Sequence, residues 1–574
     1  VNNGSCLRRG NAFLTLLGLL GAGAAAAPPP TIVDLQRWRV EKAVPLQGNA
    51  RYAGARLVNL NPSANAWFVL TLTSAPAKTE VSFHLENADP GRQQVRLDAA
   101  DGGTLVLSAG GQHLRCAPWN GDGIPALQQA RNSALPFAPL CEGRLYLRNP
   151  VSGHRTSLEA TTEFLRDHVW GGERIVQFAR REFFPDAFIE HGRAASAPAT
   201  PASNAAMPQP LAPAATRAGL ADPVLVPQRM ALDIEGLRRG LTLGSWYAVR
   251  GLAGVHFSLY QAAALPDDAS GGAQAWRPDE VEAGAMAYLV AFDLSQFDLG
   301  FSLGTEHPRL GWSPRALPAV RDASLPGPDG LATAAPLVRT GMLSPGLQPR
   351  VAATFTGGFK REHGAFRYGA LAQRHHGSHY GFIEQGTLFS SLVPGLATLY
   401  VLDNGEVGMK TWSDADGVLL PRIRDARQNG VPLVEAEAAE EPPRIGALVN
   451  QWGPGNWSGS AQEELRSLRA GACLLQHGGR RHLAYGYFSA ATPMLMARVF
   501  QAYGCRYAMH LDMNALEHTY LALYVHAADQ VLVQHLIDGM GQFEKRAGNG
   551  LLTRFMGYSD DRDFFYLLRK EPSR

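Results

Sequence analysis

The stretch YAMHLDMNALEHTY, residues 507–520, gathers two histidines, two carboxylates and an asparagine within fourteen positions. Its first half alternates. In an extended chain Tyr507, Met509 and Leu511 face one way, and Ala508, His510 and Asp512 face the other. A carboxylate and an imidazole two residues apart on one strand face can share a site, where such groups act as acid, base or charge stabiliser. The same residues also suit a plainer role, in which Asp512 and Asn514 close the strand with an Asx turn. Glu517 and His518 follow as a second pair of titratable groups.

Three further stretches carry reactive residue types. In AATFTGGFKREHGAFRYG, residues 352–369, an apolar strand runs into Gly357-Gly358, with Lys360 and Arg361 just beyond. Bare backbone there can approach a ligand and offer N–H groups to phosphate or sugar oxygens. The spacing is not that of a P-loop. In QRHHGSHYG, His375, His376 and His379 include the i, i+4 spacing that binds metal on a helix, while Gly377 and Gly381 favour a loop. HGGRRHLAYG places Arg480 and Arg481 at a hairpin tip, where a guanidinium can meet a phosphodiester or simply face solvent.

The elements that position these groups are legible in outline. Thr492 caps a helix, Pro493 occupies its first position, Met494, Leu495, Val499 and Phe500 line its inner face, and Gly504 ends it. The chain then enters CRYAMHLDMN, so Asp512 falls at the end of a strand fed by that helix, a usual place for ligand-contacting groups. The capping box SAQE predicts an earlier helix from Ser460 to Gly471. ACLLQ-HGGRR-HLAYGYF reads as two strands around a Gly-Gly turn, AMAYLVAFDLS and LGFSLG as strands, and TLYVL-DNGE-VGMKTW as a hairpin. The C-terminal region is thus expected to be α/β, a mixture of strands and helices.

Upstream, ARLVNL, WFVLTLTS, TEVSFHLE, QQVRLDA and GTLVLSA alternate between turn clusters, the pattern of an antiparallel β sandwich. SLEATTEFLRDHVW sets Leu158, Thr161, Phe164, Leu165 and His168 near one helical face. No reactive constellation stands out in this region, and an accessory or purely structural role is expected.

At 574 residues the chain is long enough for two or three domains. Lys and Arg number 53 against 51 Asp and Glu, a balance in which nothing suggests a nucleic-acid binder driven by phosphate contacts. Residues 1–27, with Arg8 and Arg9, an apolar run from Phe13 to Leu20 and then small residues, resemble an export signal too short to span a membrane. A periplasmic or secreted location follows, with no transmembrane segment once the signal is removed. A β-rich accessory domain is expected over 31–191, an extended and mobile Ala/Pro-rich linker over 192–225, and a second domain over 226–574. With Cys6 removed in the signal, Cys116, Cys141, Cys473 and Cys505 form an even set; of three possible pairings, 116 with 141 and 473 with 505 keeps each bridge within one domain, and four buried thiols are the alternative.

Taken in order, the strand ending in TFTGGF, the segments GFIEQGTLFSSLVPGLATLYVLDNGEVGMKTW and RDARQNGVPLV, the arginines of GGRRHLAYGYFSAATPMLMARVFQAYGC, and YAMHLDMN form a series. This series, over roughly residues 280–525, resembles the phosphodiester glycosidase family, whose bacterial members are exported. The family's Asn-Gly-Gly-Phe-Phe turn corresponds to Thr356, Gly357, Gly358, Phe359 and Lys360, and its Leu-Asp-Gly-Gly-Gly-Ser segment to Leu511–Leu516. Here Met513, Asn514 and Ala515 replace the glycines. The resemblance implies hydrolysis of a sugar–phosphodiester linkage in an envelope or extracellular glycan. Asp512 would be the carboxylate at the anomeric carbon, Arg480 or Arg481 the phosphate clamp, and His518 or Glu517 a further acid–base group. Residues 356–360, His510 and Asn514 would line the substrate. No cofactor is called for. Two alternatives stand beside this reading: a non-catalytic binder of anionic glycan on the same fold, and a metal-dependent hydrolase using His375, His379 and Asp512.

Overall fold

The computed structural model describes residues 30–571 apart from 76, 122, 169–192, 195–210, 218–223, 238–239, 268–275, 315, 361–368, 375–380, 437–441, 450–465, 529 and 549. The N-terminal alternating runs pair as expected. Val40–Pro45, Tyr52–Asn59, Trp67–Ser74, Glu80–Asn87, Leu145–Arg148 and Phe137–Leu140 make one antiparallel sheet, and Gln93–Asp98, Thr104–Ala109 and Gln112–Cys116 a second. Phe68, Leu70 and Leu72 meet Leu105, Leu107 and Leu127 in a shared apolar core. The Cys116–Cys141 disulfide, with Cα atoms 5.6 Å apart, ties the outer edges together.

The opposite face of that first sheet is also covered. Trp67 packs edge-on against Phe389 with ring centres 6.0 Å apart, and Arg148 Nη2 donates to Thr340 Oγ1 at 3.1 Å. Ile32, Val58, Leu60 and Trp67 therefore join the main apolar core of the C-terminal half.

That half is built on an eight-stranded antiparallel sheet. Its order is Trp246–Ala248, Val255–Gln261, Met286–Asp293, Arg480–Ala491, Ser467–His477, Tyr507–Met513, Pro432–Glu435 and Arg444–Ile445. A five-stranded sheet, Phe297–Ser302, Phe564–Arg569, Val351–Thr356, Leu521–His526 and Val531–His535, lies over one face, with Phe355 and Tyr485 rings 5.3 Å apart across the interface. The helix Pro493–Ala502 covers the other, close enough that a Cβ on Gly471 would stand 2.9 Å from the Phe500 ring. Coverage of both faces explains why strands such as Met286–Asp293 are buried at every position and read as continuous apolar runs. A third sheet, from Thr387–Ser390 to Val407–Thr411, carries the Asp403–Glu406 hairpin turn.

Several expectations are corrected. The molecule is mostly β, with antiparallel sheets and few helices among the described residues, rather than α/β in its C-terminal half. Residues 467–471, expected to end a helix, begin the strand Ser467–His477, and the Ser460 cap lies outside the described residues. Pairing on both sides with Arg480–Ala491 and Tyr507–Met513 outweighs a local capping signal. Within the Ala/Pro-rich segment, 211–217 is anchored: the Ala214 and Ala215 N–H groups donate to Gly244 O and Ala502 O at 2.9 and 2.8 Å, and Leu211 is buried. The helix Ser157–His168 forms, but Phe164 is exposed, and Glu159 on another face is buried.

The second expected disulfide, Cys473–Cys505, is present. Among the described residues no helix is long and apolar enough to cross a membrane.

Candidate active site

The strand Tyr507–Met513 carries Asp512 to its end as the alternation requires, and the carboxylate does two jobs there. Its Oδ1 accepts from the Met513 N–H at 2.8 Å, the turn-closing role, and its Oδ2 meets Arg562 Nη1 at 2.5 Å. Arg562 Nη2 reaches Glu159 Oε1 and also donates to His518 Nε2 at 2.8 Å. Since that ring nitrogen accepts, Nδ1 carries the proton and donates to Met513 O at 2.8 Å. Lys360 Nζ lies 3.0 Å from the same Glu159 oxygen and 2.7 Å from Asp561 Oδ2, which Arg155 Nε approaches at 3.1 Å. Glu517 completes the cluster, accepting from Thr156 Oγ1 at 2.7 Å. Three cations, Arg562, Lys360 and Arg155, thus converge with the carboxylates of Asp512, Glu159, Asp561 and Glu517, all of them buried except the partly exposed Arg155.

The chain around Gly357-Gly358 forms one wall, for a reason the sequence did not suggest. A Cβ on Gly357 would lie 2.9 Å from the Asp563 carboxylate, and one on Gly358 would lie 2.8 Å from Arg427 Cζ. The backbone approach is therefore to a buried Arg427–Asp563 pair (Nε to Oδ2, 2.8 Å) rather than to open space for a ligand. Arg427 Nη2 donates to Phe359 O and its Nη1 to Asn429 Oδ1, both at 2.7 Å, and Asn429 Nδ2 donates to Leu511 O at 2.6 Å. This frame locks the 356–360 turn to the Asp512 strand and aims Lys360 into the cluster. Thr356 Oγ1 donates to His518 O at 2.6 Å, Phe359 packs edge-on against His510 at 4.8 Å, and Asn514 Oδ1 accepts from Ser467 Oγ at 2.8 Å with φ of +85°.

Burial sets the proton affinities, and neighbouring charge then separates them. Burial pushes the Glu517 carboxyl up to about 7, with Arg554 opposing and Glu159 adding to the rise. Burial would raise Glu159 too, but Arg562 and Lys360 outweigh it and hold that carboxylate well below the usual range. Burial and then Arg562 push His518 down to about 4, so the imidazole is neutral. One carboxyl that keeps its proton near neutrality thus stands beside a second held ionised.

Arg480 and Arg481 are not brought to Asp512. They sit at the Gly478-Gly479 turn, level with His477, whereas Asp512 lies opposite Arg469–Gly471, roughly 20 Å away along the strand at about 3.3 Å per residue. Arg480 meets Asp293 at 3.3 Å, and Arg481 Nη2 donates to Val407 O at 2.5 Å. Each lines one of two cavities at that end, of about 310 and 470 Å³. The cation that does reach Asp512 is Arg562, with Lys360 beside it on Glu159 and Asp561. His375, His376 and His379 lie outside the described residues.

Glu159, Arg562, Asp561 and Asp563 were missed. The run Asp560-Asp561-Arg562-Asp563 directly before the apolar strand Phe564–Arg569 was a usable signal, because four consecutive charges leading into a core strand must find partners. Glu159 had no comparable signal, and the N-terminal region proves to contribute Arg155, Thr156 and Glu159 to the site. Donor atoms of Glu159, Glu517 and His518 lie within 4.8 Å of one another, the spacing of a metal set. Arg562 and Lys360 already face Glu159, and their positive charge opposes a divalent ion there.

No protein-family model matches the chain, and no curated protein matches it. Among solved structures the chain is similar to the catalytic domain of zebrafish N-acetylglucosamine-1-phosphodiester alpha-N-acetylglucosaminidase auto-inhibited by its pro-peptide, at 10% identity over 56% of this chain and 85% of that one, with a TM-score of 0.29. It is similar to a hypothetical protein from Synechocystis at 9% identity over 92% of this chain and 80% of that one, TM-score 0.29. A putative exported protein from Burkholderia pseudomallei is similar at 11% identity over 50% of this chain and 74% of that one, TM-score 0.22.

Proposed function

We propose that the protein is an exported hydrolase that cleaves a sugar–phosphodiester linkage at the Asp512 site. The observation that carries this reading is a cluster around Arg562 that holds Glu517, its carboxyl raised by burial to about 7, and Asp512, which accepts from Arg562, with Lys360 close by on Glu159. Glycosidic cleavage needs one carboxyl that holds a proton and one that is charged, because positive charge builds at the anomeric carbon as the leaving oxygen departs. Lys360 and Arg562 would take the phosphate, whose charge they neutralise as the bond to the sugar breaks. The bond between the anomeric carbon and the phosphate oxygen breaks, with its electron pair going to the phosphomonoester. Water adds to the carbon and loses its proton to Asp512, and Glu517 would protonate the leaving oxygen. In this role Arg562 and Lys360 replace Arg480 and Arg481 as the clamp. The two disulfides fit work in an oxidising compartment.

The test is sugar release from a sugar-1-phosphodiester by the full chain and by Asp512→Asn, with melting curves confirming that both are folded. Release at least a hundredfold slower in the folded variant is expected. Equal release by both would remove Asp512 from the chemistry. A non-catalytic anion binder rests on the same two cations and would show protection by phosphate with no release from either protein.

A further inference from the structure

The Asp512 cluster is not built from the C-terminal half alone. The N-terminal region enters it through one short stretch, Arg155 to Glu159. Glu159 Oε1 lies 3.0 Å from Lys360 Nζ and accepts from Arg562 Nη2, Thr156 Oγ1 donates to Glu517 Oε2 at 2.7 Å, and Arg155 Nε donates to Asp561 Oδ2 at 3.1 Å. Lys360, Arg562, Asp512, Glu517 and Asp561 are all buried. An anion from outside cannot take up both cations while Glu159 holds them.

The fit of Glu159 is incomplete. One carboxylate oxygen serves both cations, and the other, Oε2, is shielded from water with no hydrogen-bond partner among the described residues. Arg562 Nε and Asp561 Oδ1 are unmet in the same way. Buried polar groups are nearly always satisfied, so unmet ones call for an explanation. Here they surround a carboxylate that Arg562 and Lys360 hold ionised. A phosphodiester-linked sugar carries the complements, since phosphate oxygens accept from a guanidinium N–H and sugar hydroxyls donate to a carboxylate.

The helix that carries Glu159 is otherwise lightly held. The chain before it is fixed: the His154 N–H donates to Ser559 O at 2.7 Å, His154 O accepts from the Asp561 N–H at 3.2 Å, and a Cβ on Gly153 would stand 2.5 Å from the Asp561 nitrogen. Within Ser157–His168, by contrast, Ser157, Ala160, Thr161 and Phe164 are exposed, and Glu159 is the buried residue among those whose side chains are described. Swinging the helix about 155–156 takes no described apolar side chain out of the core. It does strip buried Lys360 and Arg562 of a shared counter-charge, which is costly unless another anion replaces it.

We propose that Glu159 is a built-in occupant of the phosphate subsite, and that the helix Ser157–His168 swings out when the anionic group of a phosphodiester-linked sugar replaces its carboxylate on Lys360 and Arg562. The identity of the incoming anion rests on the hydrolase reading above, whereas the occupancy rests on the contacts themselves. The closed arrangement weakens binding, because the apparent affinity is the intrinsic one multiplied by the open fraction. It leaves turnover of bound substrate unaffected.

Binding of inorganic phosphate to the full chain is measured by calorimetry, and sugar release from a sugar-1-phosphodiester gives KM and kcat, for the parent and three variants. Glu159→Gln should bind phosphate about tenfold more tightly and lower KM by a similar factor with kcat nearly unchanged, a split that a merely structural role would not produce. Thr156→Val, which frees the segment from Glu517, should move both quantities the same way by a smaller factor. Glu406→Gln removes the same charge beside Arg481, at the other end of the sheet, and should change neither. If Glu159→Gln does not fold, Thr156→Val carries the comparison. Unchanged phosphate affinity and KM in the folded variants would overturn the proposal, as would an equal gain in Glu406→Gln. Tighter phosphate binding by Glu159→Gln with no sugar release from any protein would uphold the occupancy and overturn the hydrolase reading. Release by all of them, with one common KM and phosphate affinity, would do the reverse.

Discussion

Glu517 and His518 are neighbours in the chain whose protons should pull stability in opposite directions with pH, and substituting one at a time exposes the pull. The Glu517 carboxyl goes from 4.5 to about 7 on folding. Between those values the folded protein holds a proton that the unfolded chain has lost, so its contribution is present below pH 4.5 and is lost as pH rises to 7. At 1.36 kcal/mol per pH unit the loss is about 3 kcal/mol. His518 falls from 6.5 to about 4. Between pH 4 and 6.5 the unfolded chain holds the extra proton, so stability rises with pH by about 3 kcal/mol over that window. The two slopes nearly cancel in the parent.

Glu517→Gln keeps the shape and the Thr156 hydrogen bond but removes the titration. Relative to the parent, its unfolding free energy in urea should climb by about 3 kcal/mol from pH 4.5 to 7. His518→Gln should fall by about 3 kcal/mol relative to the parent from pH 4 to 6.5. Reading the difference from the parent cancels the titrating groups that do not interact with this cluster, including Glu384, which burial raises to about 8. A pH-independent difference for either variant would refute the proton assignments, and with them the acid role given to Glu517.

Glu159→Gln should speed sugar release and strengthen protection by inorganic phosphate. Its carboxylate contacts both Lys360 and Arg562, the groups an anionic substrate needs, and unchanged phosphate protection would show that those cations do not take phosphate. Gly358→Ala should destabilise the fold by about 1–3 kcal/mol in urea, because its Cβ would meet the immobile Arg427 guanidinium at 2.8 Å. A neutral result would mean that the 356–360 turn shifts freely.

What the sequence by itself determined is whatever is decided within a few residues. Thr492 accepts from the Leu495 N–H and Pro493 opens the helix, because capping joins positions three apart. Alternation delivered Asp512 to a buried strand end, and Gly478-Gly479 turned the hairpin. The tertiary structure decided the partners. Glu159 and Arg562 are 403 positions apart, and Lys360 and Asp561 are 201 apart. No local propensity ranks Arg562 above Arg480 as the cation for Asp512, since both are guanidinium groups close to strands. Likewise the helix Ser157–His168 shows an apolar stripe that points to Phe164, yet it buries Glu159, because two cations waiting across the interface offset the desolvation of a carboxylate. The capping box at Ser460 marks the limit of local reading. Backbone pairing with strands on both sides took residues 467–471, and only the sheet order reveals that those neighbours are there.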